Sequence, residues 1–199
     1  RLELARVAML GTRAEAALTA VAAAMVAATV ATMLWPGPGY PLLGAALLAA
    51  VAWLGRFDVA LRTVRATGLT RYMAVCLLAG YVWLLVPGWM WLLAGRIRDG
   101  AGYDAVVHAV MLGFVLSMIM AHAPVILPAV VRRPLPYTRV MYAPVALLHG
   151  SLLLRLAVGD ARGVAWAVQW GGVLNIVAVL GFIAVAGYSA ARAGSRVPA

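Results

Sequence analysis

The sequence predicts an all-α, polytopic membrane bundle of six transmembrane helices, forming one domain over residues 1–199. Three observations predict it. Hydrophobic residues make up 65% of the chain and charged residues only 11%, which leaves too little polar surface to cover a soluble domain, so the surplus apolar area must face lipid. Apolar runs recur that are long enough to cross roughly 30 Å of hydrocarbon, a distance that takes about 20 helical residues. Between these runs stand Pro, Gly and Arg clusters that do not continue a span.

The first span is expected at residues 14–35 and ends at Pro36-Gly37-Pro38-Gly39, read as a tight turn. The second, 41–54 with some extension, is the shortest, because Arg56 and Asp58 follow its apolar run closely. The connection 56–71 carries arginines at 56, 62 and 65 and apolar residues at 57, 59, 60, 61 and 64, the pattern of an amphipathic helix lying on a membrane surface. A third span covers 72–94 and a fourth 104–131. Arg132-Arg133-Pro134-Leu135-Pro136 then makes a second tight turn before spans at 140–158 and 164–188. Pro87, Pro124, Pro128 and Pro144 fall inside spans, where each removes a backbone donor and disturbs the carbonyl one turn back. Two of them follow His122, so a kink there is expected to aim its imidazole or open room beside it.

Arginine supplies all 16 positive charges, since the chain has no lysine. With the N-terminus inside, Arg1, Arg6, Arg13, Arg56, Arg62, Arg65, Arg71, Arg132, Arg133, Arg139, Arg192 and Arg196 are inside and Arg96, Arg98, Arg155 and Arg162 outside. That bias places both termini on the cytoplasmic face. It also removes the net charge of +10 as a sign of nucleic-acid binding, because arginines spread over the loops are what anionic headgroups attract. The chain opens on Arg1 rather than methionine, as a trimmed product or a piece of a longer protein does.

The single cysteine, Cys76, lies within the third span and excludes an intramolecular disulfide or a cysteine cluster for zinc or iron-sulfur. The HExxH, phosphate-loop, Ser-His-Asp and CxxC templates are absent. All six acids, Glu3, Glu15, Asp58, Asp99, Asp104 and Asp160, fall at span ends or in loops. A proton-coupled transporter normally carries an acid inside a span, so that class is disfavoured at this level.

The histidines carry the functional reading. His108 and His122 are 14 residues apart, close to four helical turns, and so share a face about 21 Å apart along the axis. His122 is nine residues before the inner end of the fourth span and His149 nine residues after the inner start of the fifth. On antiparallel neighbours that spacing matches their depths, about 13 Å from the inner boundary. Two imidazoles at one depth on adjacent helices are what bis-histidine ligation of a b-type haem needs, with Gly113, Ser117, Ala121, Gly150 and Ser151 leaving space for the macrocycle. Arg155, roughly 9 Å outward of His149, would reach a haem propionate or snorkel to the headgroups. Alternatively the histidines hydrogen-bond across helices to Ser117, Ser151, Gln169 or Asn175. Met111 and Met118 flank the histidine face, and with His108 and His122 make a soft donor set suited to copper. The stretch Gln169 to Asn175, with Trp170, Gly171 and Gly172 between, reads as helix packing.

His108, Leu112-Gly113, Ser117-Met118-Ile119, His122 and Arg133-Pro134-Leu135 together resemble the NnrS-type membrane haem-copper proteins of the nitric-oxide response, over residues 104–136. That resemblance implies haem at His122 and His149 in a reduced or partial version of a family with about twice as many spans and further histidines. Three histidines are too few for a complete haem-copper oxidase centre. The expectation is therefore a haem b protein of the inner membrane of a prokaryote, serving electron transfer or haem or gas-ligand handling. Its partners would be the lipid bilayer and other membrane subunits or a redox partner, not nucleic acid. Copper transport or assembly on the set His108, Met111, Met118 and His122 is the alternative, and a structural subunit of a membrane complex a third, so that the candidate metal ligands are His108, Met118, His122 and His149.

Overall fold

A computed structural model describes residues 11–132 and 134–194, and among these there are helices and short connections but no strand. Among the described residues, six helices are long and apolar enough to cross a membrane. α1 is Thr12–Leu34, α2 Pro36–Phe57 and α3 Gly68–Ala94. α4 is α-helical over Gly100–His108 and Leu116–Val131, with a π-helical segment at Ala109–Val115 between them. α5 opens on a 3-10 turn at Arg139–Met141, continues as α-helix over Tyr142–Leu153 and closes as π-helix over Leu154–Asp160. α6 is Ala165–Gly194. Arg1, Arg6, Arg133, Arg196 and Glu3 lie outside the described residues.

The chain reverses at every connection and each helix packs on the next. Arg13, Arg56, Arg62, Arg65, Arg71, Arg132, Arg139 and Arg192 thus collect at one end of the bundle, the arginine-rich end. Arg96, Arg98 and Arg162 stand at the other end with Asp99, Asp104 and Asp160, here called the acidic end.

Several boundaries differ from the expected ones for local reasons. Pro36 to Gly39 is the first turn of α2 rather than a loop, and the reversal is confined to Trp35. Proline is tolerated there because the first helical N–H groups have no intrahelical acceptor. The connection after α2 holds a single helical turn, Ala60–Thr63, instead of an amphipathic surface helix. Asp58 ends α2 and accepts the Ala60 N–H at 2.6 Å and the Tyr81 hydroxyl at 3.0 Å, which draws a fully buried Ala60 against α3 while Arg62 and Arg65 stay exposed. α-Helix continues through Pro124 and Pro128. The departure from α geometry expected beside His122 occurs instead at Ala109–Val115, which contains no proline.

The core is divided along the bundle axis. At the arginine-rich half, Tyr72, Cys76, Met120, Met141, Leu148 and Phe182 pack between α3, α4, α5 and α6. At the acidic half, Ala105, Ala109, Leu152 and Leu156 pack with Trp83. α1 is peripheral, with 6% of its apolar window buried against 39% for α5. Its exposed Val26, Val30 and Met33, like Ile176 and Leu180 of α6, form the apolar exterior that a bilayer covers. α2 touches α3 backbone to backbone: a Cβ on Gly44 would lie 2.5 Å from the Leu92 nitrogen and 2.6 Å from the Gly88 carbonyl oxygen. Only glycine permits so close an approach, a usual device where helices lack a hydrophobic drive to associate in lipid.

Candidate functional site

At the acidic end, α4 and α5 bring four ionisable side chains together. Asp104 lies one turn into α4 and His108 a turn further, so both point to one face. Arg155 grips Asp104 with both arms of its guanidinium: Nε donates to Oδ2 at 3.0 Å and a terminal nitrogen to Oδ1 at 3.0 Å. The other terminal nitrogen donates to the Val168 carbonyl of α6 at 3.0 Å. His108 Nδ1 donates to the Asp104 carbonyl at 2.8 Å and lies 3.2 Å from its Oδ1. Asp160 completes the group, lining the same cleft as Asp104 and Arg155. Its Oδ2 is buried and has no hydrogen-bond partner among the described residues.

The π-helix makes this grouping. Arg155 and Asp160 are five residues apart, which in an α-helix turns them about 140° from each other. In a π-helix, where bonding runs from i to i+5, residues five apart lie one above the other. The segment Leu154–Asp160 has that geometry and so aims both side chains at Asp104. α6 supplies the space, since a Cβ on Gly171 would sit 2.7 Å from Arg155 Cβ and one on Gly172 3.1 Å from a guanidinium nitrogen. The small stretch of α6 expected to serve packing does so here, by making room for Arg155. A cleft of about 340 Å³ opens beside the group, lined by Gly100, Ala101, Asp104, Arg155, Asp160 and Val168 among others.

Arg155 therefore neither snorkels nor waits for a propionate. Its side chain is 14% exposed and its charge is spent on Asp104. With two carboxyl groups, one guanidinium and one imidazole whose charge depends on its protonation, the site has one carboxylate without a permanent counter-charge. Two carboxylates held together are stable only when a proton or another cation shares them.

Deeper in the bundle, polar side chains continue from this site. Ser151, one turn inward of Arg155, donates to Asn175 Oδ1 at 2.6 Å. His149 is held on both nitrogens. Trp83 Nε1, which can only donate, gives a 2.7 Å bond to Nδ1. The proton of the neutral ring is then on Nε2, 3.3 Å from Ser117 Oγ, and the Ser117 hydroxyl itself donates to the Gly113 carbonyl at 2.5 Å. The indole and imidazole rings lie nearly parallel, with an interplanar angle of 6°.

This arrangement separates the residues expected to share a haem. His149 stands level with Ser117, five residues and about 7.5 Å along α4 from His122. His122 Nδ1 donates to the Met118 carbonyl at 2.8 Å. In this arrangement His149 has no free lone pair to offer a metal. Gly113 leaves no gap for a macrocycle either, because the Trp83 ring fills the place where a Cβ would stand. The residues present do not fit a bis-histidine haem between His122 and His149. The copper set is dispersed too. The π segment between His108 and His122 breaks the α-helical register that would align them, and Met111 is 54% exposed on the outer surface. Met118 packs instead against α3, its methyl 2.8 Å from a Cβ built on Gly80. Among the described residues no three of His, Cys, Asp and Glu are gathered as a metal would require.

Asp104, Asp160 and Trp83 do not stand out as site residues in the sequence. The signal it does carry is Arg155 itself: an arginine within a span needs a partner at its own depth. Asp104 and Asp160 are the acids nearest that level on the same pair of helices.

Residues 1–191 match the family model described as "Domain of unknown function (DUF8744)", and the chain belongs to that family. No curated protein and no solved structure matches it.

Proposed function

We propose that this is a proton-handling membrane protein, in which the Asp104–Arg155–Asp160–His108 group takes up a proton from one side and the polar side chains beneath it relay protons into the bundle. The observation that carries this reading is the buried, unpartnered Oδ2 of Asp160 beside the already paired Asp104. Two further features support it. π-Helical segments are rare and concentrate at functional sites, and both of those among the described residues lie next to the group. The interior is closed to larger solutes where Trp83 fills the hollow at Gly113, while hydroxyl, amide and imidazole groups at Ser151, Asn175, His149 and Ser117 suit proton transfer.

The positive-inside rule supports a placement with the arginine-rich end in the cytoplasm and the acidic site facing outward, across the inner membrane of a prokaryote. The test is proton uptake in proteoliposomes containing a trapped pH-sensitive dye, under an imposed membrane potential. Wild-type vesicles are expected to acidify faster than protein-free vesicles of the same lipid, and equal rates would end the proposal.

A second reading keeps His122 as a ligand. Its Nδ1–H is anchored on a backbone carbonyl, the outer-shell contact that orients ligating imidazoles, and the ring is part-exposed at the bundle surface. A haem b or copper held there would take its second ligand from another membrane subunit and serve electron transfer. The absorption spectrum and metal content of the purified, reduced protein test this. A haem band lost in His122→Ala and retained in His149→Ala supports it, and a colourless, copper-free protein removes it.

A further inference from the structure

At the opposite end of the bundle lies a second cleft, of about 530 Å³, lined by Thr67, Gly68, Arg71, Val75, Tyr137, Arg139 and Tyr142. Its lining contains two guanidiniums and two phenols but no carboxylate. Both arginines are exposed, and no hydrogen bond or ion pair to a described residue occupies either head group. Arg71, Arg139 and the two phenols, Tyr137 and Tyr142, face this one cleft. Beneath them Tyr72 is fully buried and packs on both rings, at centroid distances of 5.7 Å and 5.2 Å. The phenols are thereby held in place rather than free to swing out.

The cleft also receives the start of α3. Thr67 precedes the helix without a side-chain cap, and Gly68 is left-handed, with φ of 63°. The first N–H groups of this 27-residue helix therefore lack a side-chain capping acceptor, and the helix start at Thr67 and Gly68 lines a cleft that already holds two cations. Guanidiniums, uncapped helix N–H groups and phenol hydroxyls are all donors, and donors converging without an acid recognise an oxyanion with several acceptor oxygens.

We propose that this cleft is a binding site for a phosphate group, formed by Arg71 and Arg139 with Tyr137, Tyr142 and the N-terminus of α3. It lies at the ends of the apolar helices α3 and α5 on the arginine-rich face, where a span of their length would meet lipid headgroups. A phosphomonoester headgroup and free phosphate offer the same chemistry, and the experiment separates them.

The test is calorimetric titration of the purified protein in neutral detergent with three probes: short-chain phosphatidate, the matching phosphatidylcholine, and inorganic phosphate. Phosphatidate, or inorganic phosphate if the free ion is the ligand, is expected to bind, and phosphatidylcholine much less. Combined Arg71→Gln and Arg139→Gln should weaken binding by about tenfold or more, while Arg62→Gln, an exposed arginine at the same end outside the cleft, should not. The Arg71→Lys, Arg139→Lys protein keeps the charge but not the fork and should fall between the two. Inorganic phosphate displacing phosphatidate at millimolar concentration identifies the free ion as a ligand, and failure to displace it identifies the lipid. No binding of either phosphate probe overturns the site. So does an equal loss in Arg62→Gln, which would mean general attraction to an arginine-rich surface, or unchanged affinity in the double variant.

Discussion

Helix α1 and the four helices α3–α6 are built from similarly apolar sequence, yet the hydroxyls of α1 and the polar side chains of α3–α6 find their partners in opposite ways. In α1, Thr19, Thr29 and Thr32 each return their hydroxyl to a carbonyl three or four residues back in the same helix. Such bonds hide a hydroxyl from lipid without fixing any neighbour. α2 holds α1 by a bond from Trp53 Nε1 to the Ala14 carbonyl at 3.0 Å, and meets α3 by close backbone contact at Gly44 and by the Tyr81–Asp58 bond at its end. In α3–α6 the polar groups bond between helices: Trp83 to His149, Ser151 to Asn175, Arg155 to Asp104 and to Val168, and Ser189 to the Pro136 carbonyl. Intramembrane polarity that is satisfied locally is filler, whereas polarity satisfied across helices fixes their register and builds sites.

That contrast is sharpest at Arg155. Replacing it with leucine strands Asp104 beside Asp160 and frees the Val168 carbonyl, and is expected to cost about 2–4 kcal/mol, short of a fully buried pair because Asp104 is partly exposed. Arg13→Leu in α1 should change stability by less than about 0.5 kcal/mol. Equilibrium unfolding in mixed micelles reads both, and equal effects would erase the distinction between the two regions.

Glycines offer a smaller contrast. Gly113→Ala drives a methyl into Trp83 and should cost about 1–3 kcal/mol, with a change in tryptophan emission. Gly37→Ala, with nothing within 4 Å of the added carbon, should be neutral or slightly stabilising by about 0.5–1 kcal/mol. Smallest is the hydroxyl pair. Ser117→Ala removes the acceptor for His149 Nε2 and is expected to cost about 0.6–1.7 kcal/mol. Thr29→Val, which loses only a bond within its own helix, should stay within about 0.5 kcal/mol by the same unfolding measurement.

The number of helices is legible in the sequence because length and hydropathy alone decide it, and the arginine asymmetry marks which connections share an end. The candidate site is legible only in its pieces. Arg155 and His108 stand out as polar groups in apolar spans, but matching depths by residue count assumes uniform α-helices. The π segments at Ala109–Val115 and Leu154–Asp160 rotate the two flanking stretches of each helix relative to one another. Apolar periodicity does not reveal a π-helix, since a helix facing lipid is apolar on every side. The start of α4 at Gly100, four residues before the expected boundary, has the same effect: it moves Asp104 from a span end to a position within the helix. That shift reopens the proton-handling class that acids at span ends disfavour.

The most direct test of the account compares an acid from each region in the same proteoliposome assay. Asp160→Asn keeps the side chain's shape but removes the carboxylate that has no fixed partner, and Glu15→Gln removes one from the first turn of α1. Proton uptake driven by an imposed potential is predicted to fall to the rate of protein-free vesicles in Asp160→Asn and to stay at the wild-type rate in Glu15→Gln. Wild-type uptake in Asp160→Asn, with the variant folded by its thermal unfolding profile, would contradict the assignment of the acidic end as the site of proton entry.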